Sequence, residues 1–266
     1  MAHRIETGDA DLAYEDTGGD GPAVMLLHGL GGSAYVWWAQ LAALRDAGYR
    51  AIAPDQRGAG RSSASPGPYS VESWAEDAER LLDRLGVERA ALVGHSVGCM
   101  IAEHAAVRLG ERTTALVLCG GAARWPQSYG PGFDERARLA RAGRMDSNAE
   151  AVAERGLTER CRAERPELHG LLIALVASND PDAYAEWALA TGAGSMRDLE
   201  RLECPVLAFA GEQDAVTPPA LSDEIADSAP RGETATVAGA AHWCMIERPD
   251  AVNEVLLGFL GRTLAT

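Results

Sequence analysis

The segment Gly94-His95-Ser96-Val97-Gly98 places a serine between two glycines, where the apolar run Ala-Ala-Leu-Val gives way to a helical pattern. A serine on such a tight strand-to-helix turn has its hydroxyl raised above the sheet edge. The glycines let strand and helix approach without Cβ clashes. The helix amino terminus favours negative charge developing beside it. A serine hydroxyl is a weak nucleophile until a base takes its proton and an acid orients that base. Of the six histidines, His242 in Gly-Ala-Ala-His-Trp falls in a late loop before the last helical pattern. His28 and His95 adjoin glycines and read as loop-shaping; His104 lies on the helix that follows Ser96 and reads as packing. His3 and His169 have no constellation around them. Asp214 follows the run Pro-Val-Leu-Ala-Phe-Ala by a short loop, so its carboxylate can reach a histidine in the next loop. Glu212 is its nearest rival, whereas Asp223 and Asp227 fall on a solvated helix face. The predicted relay is Ser96, His242 and Asp214, with serine, acid and base in that chain order.

A tetrahedral intermediate needs two preorganised amide donors. The N–H of Val97, after the nucleophile, is one. The other is assigned to Leu30 in His28-Gly29-Leu30-Gly31-Gly32, whose glycines allow the chain to curl. Gly29, Trp187 and Trp243 are assigned to substrate contact, Trp243 either walling the pocket or packing beside the base. Met100 and Ile101 read as core, and Asp55, Arg57 and Arg61 as a charged network that locks their loop. The five cysteines form no CxxC or metal-finger spacing and read as buried free thiols. No metal ion and no cofactor are expected. All 24 basic residues are arginines, so Schiff-base, pyridoxal-phosphate and P-loop chemistries lack their essential amine.

The elements that must position these groups alternate. Strands are predicted at His3–Thr7, Leu12–Asp16, Ala23–His28, Tyr49–Pro54, Ala90–Gly94, Thr114–Cys119, Val206–Ala210 and Glu233–Val237. Helices are predicted at Val36–Ala47, Val71–Leu85, Ser96–Leu109, Pro219–Asp227 and Ala251–Gly261. A long loop, 55–68, follows the fourth strand. Alternation of this kind predicts an α/β fold: a mostly parallel eight-stranded sheet flanked by helices, binding its ligand beyond the strands' carboxyl ends. Residues 1–121 and 199–266 form the expected core domain. The mainly helical stretch 122–198 is the expected cap, inserted after strand 6.

In order along the chain, HGLGG, DQRGAGRS, GHSVG, GEQDAVTP and GAAHW resemble the α/β-hydrolase superfamily over nearly its whole length. Within it, the chain is most similar to 3-oxoadipate enol-lactonases, including part of the insertion around ERARLARAGRMDSNAEAVAERGLTERCRAERPE. That family's R-W-F-T-like run reads Arg155-Gly156-Leu157-Thr158 here, and loss of the large aromatic should enlarge or reshape the pocket. The resemblance implies a serine hydrolase that cleaves a small-molecule ester or lactone through an acyl-enzyme. Its enzymatic rivals are C–C hydrolysis of a ring-cleavage product and a biosynthetic thioesterase or acyltransferase. A non-catalytic small-molecule receptor is the rival from another class.

A net charge of −15 repels phosphate backbones and argues against a nucleic-acid partner. Within it, the stretch from Arg124 to Arg165 carries nine arginines against seven acidic residues. Such a cap would favour a carboxylate-bearing substrate; ordinary surface ion pairs are the competing explanation. No run of about 18 apolar residues predicts a membrane span. The polar, acidic amino terminus predicts a cytoplasmic protein. The sequence sets no oligomeric state.

Overall fold

The computed structural model describes residues 3–8, 10–64 and 69–264. The last four residues of the expected loop, 65–68, lie outside the described residues, as do the extreme ends of the expected core domain. Eight strands form one sheet: β1 (His3–Glu6), β2 (Asp11–Asp16), β3 (Ala23–Leu27), β4 (Arg50–Pro54), β5 (Ala90–His95), β6 (Thr113–Cys119), β7 (Val206–Gly211) and β8 (Gly232–Val237). Their order across it is β1-β2-β4-β3-β5-β6-β7-β8. The pairings β1–β2 and β2–β4 are antiparallel, and every other pairing is parallel. This is the mostly parallel eight-stranded α/β arrangement that the alternation predicts.

Helices cover both faces of the central strands. They are α1 (Trp38–Asp46), α2 (Val71–Arg84), α3 (Val97–Leu109), α4 (Gly130–Arg141), α5 (Met145–Gly156), α6 (Glu159–Glu164), α7 (Pro166–Ala177), α8 (Pro181–Ala193), α9 (Pro219–Ser228), α10 (Cys244–Glu247) and α11 (Pro249–Leu264). Because the sheet is covered twice, β3 and β5 are buried at every residue, which explains their unbroken apolar runs. The edge strand β8 exposes Glu233, Thr234 and Thr236 to solvent, and the charged Glu233 discourages pairing with another chain. Helix α2 starts at a reciprocal cap, in which Ser70 Oγ accepts from the Ser73 N–H and Ser73 Oγ from the Ser70 N–H.

Three local differences from the sequence reading have physical causes. The helix expected from Val36 opens as a 3₁₀ turn, Ala34–Trp37, because Ser33 caps it by accepting the Tyr35 N–H. Strand β5 runs on to His95, so α3 begins at Val97 and Ser96 alone makes the turn. The four-residue α10 is too short for its apolar period to be visible in sequence.

Helices α4 to α8 all fall between β6 and β7 in the chain and pack chiefly on one another, α4 with α8 and α5 with α7. Where this insertion meets the core, Trp187 of α8 stacks on Trp74 of α2 with ring centroids 3.8 Å apart. No helix among the described residues is long and apolar enough to cross a membrane.

Candidate active site

Ser96 is the only non-glycine residue with positive φ among the described residues, at φ 56° and ψ −123°. Such a conformation costs about 1–3 kcal/mol and survives only where the surroundings impose it. Here the flanking glycines permit the close approach of strand and helix that holds it. A Cβ on Gly94 would strike the Gly98 carbonyl, and one on Gly98 would strike the Leu27 carbonyl. The Ser96 N–H donates to the Cys119 carbonyl of β6 at 3.0 Å, pinning the turn to the neighbouring strand. The side chain is left facing a cavity of about 230 Å³.

His242 lines the same cavity. Its Nδ1 lies 2.9 Å from Asp214 Oδ2. Asp214 is almost fully buried and accepts three further hydrogen bonds, from the N–H groups of Val216 and Thr217 and from Thr217 Oγ1, each at 2.8 Å. Burial alone would raise its pKa. The adjacent His242 ring, its hydrogen bond and the Thr217 donors outweigh burial and hold the carboxyl below its ordinary value. An ionised carboxylate can only accept, so Nδ1 carries a proton and the Nε2 edge is the one left to exchange a proton with a reacting group. The positive φ of Gly120, 59°, brings β6's end under this pair; a Cβ there would lie 3.3 Å from His242 Nδ1. Among the described residues the Ser96 hydroxyl forms no hydrogen bond to the His242 ring. The two side chains line the same cavity.

Leu30 lines the cavity and Val97 opens α3. Neither backbone N–H is donated to another group among the described residues, so both remain able to meet an oxyanion. Trp243 also lines the cavity, with its indole against the backbone of Gly156. The position where the resemblance predicts an aromatic is thus filled from the opposite side. Any side chain at 156 would collide with Trp243.

Two expected substrate contacts lie elsewhere. Gly29 sits behind the nucleophile, where a Cβ would come within 2.9 Å of Ser96 Cβ and 3.0 Å of the His95 carbonyl; it is a close-packing position. Trp187 is buried away from the cavity, its Nε1–H donating to the Arg57 carbonyl at 2.9 Å and its ring stacked on His28 and Trp74. Its hydrogen bond and its packing are both directed at the core.

Other histidines and charges act as scaffold. His28 Nε2 accepts the Gln56 N–H at 3.1 Å, tying the glycine loop to the loop after β4. His95 lies 3.0 Å through Nε2 from the His242 carbonyl, which can only accept, so that nitrogen carries the proton. Burial lowers the pKa of both rings and keeps them neutral. In the loop network, Asp55 accepts from the Ala34 N–H and from Arg61, while Arg57 pairs with buried Asp77. Cys99, Cys119, Cys161 and Cys244 are buried free thiols, and Cys204 is half-buried.

Sequence reasoning missed Thr217, which binds Asp214, and the cavity-lining Trp125, Phe133, Arg136 and Arg155 of the insertion. Thr217 carried a usable signal, an Asp-x-x-Thr spacing suited to a side-chain-closed turn.

Residues 22–249 match the family model described as alpha/beta hydrolase fold. The chain is 32% identical over 269 residues to RutD of Azorhizobium caulinodans, a protein named for carbamate hydrolysis, covering 96% of both. It is 30% identical over 260 residues to 3-oxoadipate enol-lactonase 2 of Acinetobacter baylyi, covering 96% of this chain and 94% of that one. Its structure is similar to that of a thermophilic esterase from Thermogutta terrifontis with malate bound, with a TM-score of 0.92, 28% identity and 99% of both chains covered.

Proposed function

The chain belongs to the α/β-hydrolase fold family, and from that premise we propose that it is a serine hydrolase of small carboxylate-bearing esters or lactones. The observation that carries the reading is the Asp214–His242 hydrogen bond, beside a strained serine that shares its cavity. In the proposed reaction Ser96 Oγ attacks the carbonyl carbon as its proton passes to His242 Nε2. The carbonyl oxygen becomes an oxyanion held by the N–H groups of Leu30 and Val97. Its collapse expels the alkoxide, which takes the proton from His242 and leaves an acyl-enzyme. Water, deprotonated by His242, then releases the acid and restores the serine.

The carboxylate preference is supported by two arginines of the insertion that line the cavity. Five of the insertion's arginines, Arg138, Arg141, Arg144, Arg160 and Arg165, are paired with surface carboxylates. Arg136 and Arg155 instead line the cavity, and neither has a carboxylate partner within ion-pair distance among the described residues. A guanidinium offers a forked donor set matched to a carboxylate. The malate bound by the esterase neighbour, a dicarboxylate, is consistent with such a site. In this reading α4 to α8 act as a cap whose cations face the acyl or alcohol portion of the substrate.

The relative named for carbamate hydrolysis favours a second reading, in which the same attack falls on a carbonyl bonded to nitrogen. A matched panel of esters, lactones and carbamates, each with and without a free carboxylate, separates the two by kcat/KM. The proposal expects anionic esters or lactones to lead; neutral esters or carbamates ranking first would replace it.

A further inference from the structure

One buried carboxylate has no part in the proposed reaction. Glu247, in α10, is 6% exposed and has no arginine or histidine partner among the described residues. Its Oε2 accepts the N–H of Ala241, the residue before His242, at 2.9 Å. Its Oε1 accepts the Thr158 hydroxyl, and the Thr158 N–H approaches its two oxygens at 3.3 and 3.4 Å. Thr158 belongs to the insertion: it caps α6 by accepting the Cys161 N–H at 3.0 Å. Two residues earlier the Gly156 carbonyl accepts the Trp243 N–H at 3.0 Å. The insertion's 156–158 segment therefore grips the base loop on both sides of His242, at Ala241 through Glu247 and at Trp243 directly.

A carboxylate is an expensive way to fill such a space, since an apolar side chain would be buried without desolvating a charge. It provides several directional acceptors at one point, which fix the backbone of two separate segments together. We propose that Glu247 is a positioning residue for the base, making the seating of the insertion and the orientation of His242 one hydrogen-bonded unit. This rests on the serine-hydrolase reading above. Disturbing the insertion end of the unit, at Thr158, should then slow the chemistry at Ser96 while substrate binding is little changed.

The test uses the full chain and a fluorophosphonate, which needs no knowledge of the natural substrate. Ser96 Oγ bonds phosphorus, fluoride leaves, and His242 takes the hydroxyl proton. Thr158→Val should lower the phosphonylation rate and the kcat for a p-nitrophenyl ester about tenfold, with KM within about twofold, because small misplacements of a catalytic group are costly. Thr158→Ser, which restores the hydroxyl, should recover most of that loss. Glu247→Gln should cost about a hundredfold, and adding Thr158→Val to it should cost little more, because both break one unit. Unchanged rates in Thr158→Val with only a lower Tm would overturn the proposal, as would losses that multiply in the double variant. If Glu247→Gln does not fold, the two Thr158 variants decide alone. A wild-type protein that is never labelled at Ser96 would instead sink the underlying reading, and the positioning role with it.

Discussion

The two ends of the parallel sheet carry cavities of opposite character. At the strands' amino ends lies an open groove of about 1190 Å³, lined by residues that precede or start β5, β6, β7 and β8. At the carboxyl ends lies the far smaller pocket of about 230 Å³ that holds Ser96 and His242. In the larger groove three of the four arginines are already engaged, and Arg89 alone makes no ion pair or side-chain hydrogen bond among the described residues. Arg112 binds Asp83 and the carbonyls of Val87 and Glu88, Arg201 binds Asp198, and Arg231 donates to the Glu203 carbonyl. The smaller one is lined by Ser96, His242 and Leu30, with Val97 next to the serine, and among the described residues neither the Leu30 nor the Val97 N–H is donated to another group. Volume does not mark the candidate site. What marks it is a serine held at positive φ in the same cavity as a histidine that is hydrogen-bonded to a buried carboxylate.

Substitutions at the two ends sharpen this contrast. The largest effect is expected for Ser96→Ala, with kcat for an ester falling by about 10⁴-fold or more while Tm stays within a few degrees. Turnover retained in that variant would move the chemistry elsewhere. Next is Arg136→Ala, for which KM should rise about 10- to 100-fold for a carboxylate-bearing ester and stay nearly constant for its neutral analogue. Equal effects on the two substrates would leave Arg136 a packing residue.

A pH series probes the ground beneath the pocket. Burial holds the pKa of His28 and His95 below the ordinary imidazole value, so the folded state refuses protons that the unfolded chain accepts. Their contribution is fully present above about pH 6.5 and is lost as pH falls below it, at up to about 1.4 kcal/mol per pH unit for each ring. Asp214, whose pKa is lowered, adds its own loss only in the more acidic carboxylate range. Urea unfolding at pH 7.5, 6.5 and 5.5 reads this directly, and a flat profile would mean that the two rings protonate within the fold. The smallest effect belongs to the other end. Arg112→Ala should leave turnover unchanged and cost at most about 1 kcal/mol, since its ion pair is part-exposed. A loss of activity there would break the comparison.

The sheet, the tight turn at Ser96 and the pairing of His242 with Asp214 could be read from sequence because each depends on local pattern and chain order. Runs such as Ala-Val-Met-Leu-Leu announce strands covered on two faces, and the glycines around Ser96 announce a turn that ordinary residues could not make. What escaped depends on which surfaces meet after folding. Gly29 looks like a pocket glycine by spacing, yet its backbone presses on Ser96. Trp187 looks like a cap aromatic, yet it spends its N–H on Arg57. Glu247 and Thr158 lie 89 residues apart, and nothing in either neighbourhood signals the other. The charge excess of the insertion was visible in sequence. Which of its arginines are spent on surface pairs and which face the cavity was not, because that depends on helix orientation.

The central claim is that Ser96 is activated by the His242–Asp214 pair. Its most direct test is peptide mapping by mass spectrometry after exposure to a fluorophosphonate. The account predicts a single adduct on the peptide carrying Ser96, absent in Ser96→Ala and formed far more slowly in His242→Ala. A folded protein that stays unlabelled, or carries its adduct on another serine, would contradict it.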